Sequence, residues 1–162
     1  MGMAEPEAMN WSTENCTISR TMEILGDKWT FHVLRELFVG VRRFEDIRAR
    51  ALIPRQVLTD RLAGLIERGV IRRHPYRVPG QRERSEYRLT EAGLALYPVL
   101  VALMQWGDQY VAVDGGPPIE ARHRECGGQV QVVLQCEAGH APIPREVAIR
   151  PGPGAVRREL AS

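Results

Sequence analysis

Two kinds of side chain in this sequence are spaced to do chemistry. Near the C-terminal end His123, Cys126, Cys136 and His140 follow one another with two, nine and three residues between them. Cysteine and histidine are tetrahedral zinc ligands, and the Gly127-Gly128 turn followed by the strand-like VQVVL could fold one pair back on the other. The spacing is not that of a common finger, so the expected state is a metal-free hairpin with Gly127, Gly128 and Gly139 in turns, and no cofactor. Arginine is the second kind. Over residues 28–90 fifteen Lys/Arg stand against seven acids, a net of +8, whereas residues 1–27 carry −4 and residues 91–162 carry −2. Basic charge gathered in one segment of a chain with a formal charge of only +2 suits a polyanionic partner. The plainer alternative is a solvated face of an arginine-rich composition.

Catalytic patterns are missing from the sequence: it has no HExxH, no GxSxG, no phosphate-binding glycine loop and no Rossmann glycine pattern. His32 lies within an apolar helical pattern and reads as an interior residue, and no pair of titrating groups is evident, so no enzyme is expected. Three cysteines are too few and odd in number for a disulfide framework. No run of 18 apolar residues exists and MGMAEPEAMN lacks a signal pattern, so the expected location is cytoplasmic, with no membrane partner. The length of 162 residues allows one domain with an appendage, or two small units.

The elements that must position the arginines follow from periodicity. Ile18, Met22 and Leu25 share a helical face that Gly26 can close. Asp27 can cap the next helix, in which Trp29, Val33 and Leu37 recur with Leu34 and Phe38 beside them up to Gly40, the expected buried centre. Phe44, Ile47 and Ala51 mark a short helix. A tight turn leads to residues 54–67, where Leu58, Leu62, Leu65 and Ile66 form one stripe and Arg55, Gln56, Thr59 and Asp60 lie away from it. Residues 70–76 and 84–89 are strand-like and flank Pro79-Gly80, giving a hairpin with an arginine-rich tip. Thr90 can cap a long helix, 91–112, with more apolar residues than a small domain can hide.

Helix, helix, short helix, turn, helix, hairpin is the layout of a winged helix-turn-helix. An exposed helix about 10–12 Å across fits a major groove about 12 Å wide. Arg55 can donate two hydrogen bonds to a guanine edge, Gln56 can do the same for adenine, and Thr59 can reach a base or a phosphate, while Arg61 and Arg68 sit nearer the flanks. On the hairpin, Arg72, Arg73, Arg77, Arg82, Arg84 and Arg88 outnumber Glu83 and Glu86. Arg77 and Arg82 are the foremost candidates for a minor-groove contact, whereas Arg88 could simply pair with Glu86. The alternative from another class is a winged-helix interaction module whose arginines serve acidic protein partners.

The runs "ISRTMEILGDKWTFHVLRELFVGVRRFEDI", "LTDRLAGLIERGVIRRHPY" and "EYRLTEAGLALYPVLVALMQWG" resemble the HxlR-type winged helix-turn-helix transcription regulators, relatives of the MarR group, over about residues 15–112. The resemblance implies a mainly α fold with a small β-wing and a homodimer that binds a double-stranded DNA operator, acting as a repressor or activator. Helix 54–67 would be the recognition helix and 71–89 the wing. Terminal helices would form the dimer interface, with Leu96, Leu100, Leu103 and Trp106 the expected contacts. Ile53 departs from the pattern, because similar proteins often have a small polar residue there that caps the recognition helix.

Cys16 precedes the first helix, where proteins of this family often carry a cysteine, and some are similar to thiol sensors; a redox or small-molecule effector is open on that ground. A thiol at a helix N-terminus can ionise more readily. The favoured reading of Cys16 is a small packing residue. Longer members of the family look as if they carry a ribbon-like tail with two cysteine knuckles, but here Ala138-Gly139-His140 replaces the second. The expected organisation is a flexible N-terminus 1–14, a DNA-binding and dimerisation domain 15–113, a linker 114–118, a small β-rich segment 119–150 (at most a degenerate zinc ribbon), and a tail 151–162.

Overall fold

The computed structural model of this chain describes residues 11–80, 82–111 and 114–157, which divide into two units. The first joins the N-terminal residues up to Gly26 to those from Val133 onward; the second is Asp27–Val132. The first unit holds α1 (Thr17–Leu25), on which Leu25 is buried but Ile18 and Met22 are exposed. The described parts of the expected flexible N-terminus and tail are bonded to each other rather than loose. Trp11 and Arg157 form an antiparallel bridge, Ser12 N–H donates to the Val156 carbonyl at 2.7 Å, and the Arg157 guanidinium lies 5.8 Å from the Trp11 ring centroid. Residues 1–10 and 158–162 lie outside the described residues.

The second unit is built around α2 (Lys28–Phe38). Asp27 caps it, its carboxylate accepting the Trp29 N–H at 2.8 Å, as the sequence predicts. Val33, Leu34 and Leu37 are buried on α2, which contacts α3 (Phe44–Ala51), α4 (Arg55–Glu67), β2 (Arg84–Leu89) and α6 (Tyr97–Tyr110). The buried set continues through Ile47, Ile53, Leu58, Leu62, Leu65, Ile71 and Val101. Each such side chain contributes about 1.5–3 kcal/mol by leaving water. The wing is the antiparallel pair β1 (Ile71–Tyr76) and β2, in register from Ile71 opposite Leu89 to Tyr76 opposite Arg84. Its turn places Gly80 at φ +77°, a left-handed conformation that Pro79-Gly80 supplies without strain.

Three expectations are corrected. The long helix 91–112 is two helices, α5 (Glu91–Leu94) and α6. Pro98 has no N–H to donate to the Leu94 carbonyl four residues earlier, and its ring would strike that carbonyl, so α5 stops at Leu94 and Pro98 sits in the first turn of α6, which begins at Tyr97. The helix expected from residue 54 is α4 starting at Arg55, with Pro54 at the N-cap and no side-chain cap, because the proline ring has no acceptor and Ile53 before it is buried in the core. Residues 119–150 contain no strand, only an isolated bridge from Arg122 to Gln129 and a 3-10 turn at Pro144–Glu146. The VQVVL stretch finds no partner ladder: Val130 N–H donates to the Ala121 carbonyl, Val132 N–H to the Gln105 side chain, and Val132, Val133 and Leu134 stay exposed. An isolated two-stranded ribbon with nothing covering its apolar face is marginal in water.

Candidate nucleic-acid interface

The helix-turn-helix is formed by α3, a sharp turn and α4. Leu52 makes the turn at φ +52°, the one non-glycine residue with positive φ among the described residues. Beyond it α4 buries Leu58, Leu62 and Leu65 and leaves Arg55, Gln56, Thr59 and Asp60 exposed, so the polar side picked out by spacing faces solvent. Each candidate side chain is already engaged. Arg55 pairs with Glu45 and lies 5.2 Å from the Phe44 ring centroid, Gln56 donates to Asp60 at 2.9 Å, and the Thr59 hydroxyl donates to the Arg55 carbonyl at 3.0 Å. Hydrogen bonds from Arg48 and then Arg55, opposed by partial desolvation, hold the Glu45 carboxyl below the usual range. Arg61 is half-buried, its Nε without a hydrogen-bond partner among the described residues.

The wing behaves differently. Arg72, Arg73, Arg77, Arg82 and Arg84 are exposed and have no carboxylate partner among the described residues. Arg88 is withdrawn from that set: its Nε donates to Glu86 at 2.6 Å, the second of the two readings open for it. Glu86 also lies 4.0 Å from Arg42, and its carboxyl is held low by the Arg88 hydrogen bond, which outweighs desolvation. The loop between α2 and α3 fixes the wing, since Tyr87 N–H donates to the Arg42 carbonyl at 2.8 Å and Arg43 bridges Glu86. The Arg43 guanidinium also lies 4.8 Å from the Tyr76 ring centroid. Sequence reasoning missed Glu45, Arg42 and Arg43; the Glu45–Arg48 spacing on α3 was the signal available for the first.

Of the exposed apolar residues on α6, Val99 (43%), Leu103 (48%), Trp106 (57%) and Tyr110 (63%) fall at i, i+4, i+7 and i+11, with Tyr97 (40%) off that line. Leu96 and Leu100 of the expected interface are only half-buried. Among the described residues no helix is long and apolar enough to cross a membrane.

Cys16 stands at the N-cap of α1, half-buried. The polar groups of the first turn, the Ser19 backbone and hydroxyl ahead of the Ile18 backbone, outweigh desolvation and pull its thiol below the usual range, although the thiol makes no capping hydrogen bond. His123 Nδ1 is 3.2 Å from Cys126 Sγ in one unit, and Cys136 Sγ is 3.6 Å from His140 Nδ1 in the other. Among the described residues no three His, Cys, Asp or Glu side chains come together in a way that would hold a metal ion.

A family model described as HxlR-like helix-turn-helix matches residues 24–114. An uncharacterised HTH-type transcriptional regulator of Mycobacterium tuberculosis is 44% identical over 150 residues, 92% of this chain and 93% of that protein. The crystal structure of PA1607, a candidate transcription factor, superposes with a TM-score of 0.75 at 28% identity, covering 85% of this chain and 95% of that one. The redox regulator HypR in its reduced form superposes with a TM-score of 0.51 at 26% identity, covering 57% and 90%.

Proposed function

Since the chain belongs to the HxlR-like helix-turn-helix family of transcriptional regulators, we propose that it binds double-stranded DNA sequence-specifically as a homodimer. In this reading α4 enters the major groove, where Arg55 and Gln56 meet base edges and Thr59 a base or phosphate. Arg73, Arg77, Arg82 and Arg84 take the backbone and the minor groove, and Arg61 stays near the flank. The observation that carries it is the wing: five exposed arginines with no acid partner among the described residues, on a ribbon fixed beside the helix-turn-helix. Unpaired guanidiniums on one ribbon are stabilised by phosphates that release counterions as they bind. Cys16, with its lowered thiol, is the place where an oxidant or electrophile would act as effector, and the likeness to a protein named a redox regulator supports that role.

The test separates reading from gripping. If Arg73, Arg77, Arg82 and Arg84 of both subunits each neutralise one phosphate, the logarithm of the affinity falls against the logarithm of salt with a slope of about −7, at about 0.9 per phosphate. Arg82→Ala then weakens all sequences alike and flattens the slope by about 1.8, one phosphate in each subunit, whereas Arg55→Ala costs about 1–3 kcal/mol at the base position each copy reads and relaxes the preference there. Equal losses on all sequences for both variants would refute the division of labour.

A further inference from the structure

Arg55 carries the proposed base reading, yet its guanidinium is held before any duplex arrives. Its Nη2 donates to Glu45 Oε1, while the other carboxylate oxygen of Glu45 accepts from Arg48 Nε at 2.9 Å. The Gln56–Asp60 and Thr59–Arg55 contacts lie within α4, so the helix alone provides them. The Glu45 contact crosses from the first turn of α3 to the first turn of α4 and exists only in the assembled helix-turn-helix. Resting on the DNA-binding reading above, we propose that Glu45 is a specificity-determining residue: it competes with phosphate for Arg55, and a guanine edge displaces it.

Arg55 has three places to go on a duplex: Glu45, a phosphate oxygen, or a guanine. The side chains of Arg55 and Glu45 are 64% and 55% exposed, so their ion pair is weak, worth a factor of a few in population. A contact with one phosphate is an exposed ion pair of the same kind, so Glu45 and phosphate are nearly matched competitors. Guanine accepts two parallel hydrogen bonds from the planar fork and discriminates by roughly 5- to 150-fold, which exceeds what Glu45 offers. Arg55 therefore leaves Glu45 for guanine and is shared between Glu45 and phosphate elsewhere. Arg48 makes the exchange cheap, because the Glu45 carboxylate keeps one guanidinium when the other departs. Glu45 holds Arg55 in the free chain and on other bases alike, so removing it tightens binding to every duplex and most of all where guanine offers the bidentate contact; the carboxylate sets how far Arg55 discriminates.

Glu45→Gln keeps the size of an exposed side chain and removes its charge. A random duplex pool is first selected with the wild-type full chain, and wild type and variants are then titrated, at several salt concentrations, against the selected site, its single-base variants and a random duplex. For Glu45→Gln, affinity of the dimer for the random duplex is expected to rise about 3- to 10-fold with the salt slope steeper by up to about 1.8, one phosphate contact in each subunit. Preference for guanine at one position rises by up to a factor of a few, the hold that Glu45 gives up. Glu83→Gln, the same charge change on the wing, raises every affinity alike and leaves the preference intact. Arg48→Ala has the opposite sign, since it leaves Glu45 wholly to Arg55 and lowers affinity for the selected site more than for the random duplex. Glu45→Gln affinities that shift by one common factor, as in Glu83→Gln, overturn the competition and leave the DNA-binding reading standing. A wild-type chain that selects no sequence overturns both.

Discussion

Glu36 holds a charge where charge is costly: the residue is 2% exposed on α2. Burial by itself pushes its carboxyl upward, but hydrogen bonds from Arg50 (2.6 Å) and Arg35 (2.8 Å) more than offset that, and the group ends below the usual range. Because Arg50 belongs to α3, this pair ties the first helix of the helix-turn-helix to the central helix. A carboxyl with a depressed folded pKa stabilises the fold fully above its unfolded value of about 4.3, and loses that contribution as pH falls through the folded value. Both arginines keep 40% or more of their side chains in water, so breaking the cluster does not strand a buried cation. Glu36→Gln is therefore expected to lower unfolding free energy by about 1–2 kcal/mol at pH 7, with the gap to wild type closing below about pH 4. Urea midpoints at the two pH values measure it, and a constant gap would show that Glu36 is not ionised in the fold.

At the scale of elements, the junction from wing to terminal helices shows how local sequence and tertiary contact divide the work. Thr90 caps α5 as the pattern predicts, its hydroxyl accepting the Gly93 N–H at 3.2 Å. Gly93 is needed for a different reason, since a Cβ there would lie inside van der Waals contact with the Val70 carbonyl oxygen and against Leu89. That carbonyl is already fixed by the Thr90 N–H at 3.0 Å, so it cannot retreat freely. Gly93→Ala is expected to destabilise the chain by about 1–3 kcal/mol as an overpacking substitution, although alanine favours a helix by about 1 kcal/mol over glycine. A thermal midpoint at or above wild type would show that the junction yields. The helices and the hairpin were legible because apolar spacing, Asp27, Thr90 and Pro79-Gly80 are local signals. The Leu94 break was also written in Pro98, which the strength of the apolar run masked. The Glu45–Arg55 and Glu36–Arg50 pairs were not legible, because each joins residues on different helices that only the packed fold brings together. Nor was the fate of VQVVL, whose strand-like composition meets no partner strand.

For the whole molecule the open matter is what covers α6. A seam at i, i+4, i+7 and i+11 is the spacing by which one helix packs along another, and Trp106 and Tyr110 lie on it with ring centroids 5.6 Å apart. The rest of this unit leaves the seam in water, as large exposed apolar stripes rarely are unless another surface meets them. A second copy related by a two-fold axis offers the same seam and closes the assembly without further copies. Such a pair presents two recognition helices to one duplex, so the site should be palindromic with half-sites about 34 Å apart. Leu103→Asp places a charge in the middle of the seam, on a side chain that is 48% exposed in the single chain and contributes little to its own core. The variant is expected to sediment as a folded monomer with unchanged helical circular dichroism. Its affinity for a two-half-site duplex should drop about 10²- to 10⁴-fold, the advantage that linking two binding events confers, while affinity for a single half-site changes little. A variant that still sediments as a dimer would exclude α6 as the interface. A wild-type chain that is monomeric and binds one half-site as tightly as two would remove the dimer itself.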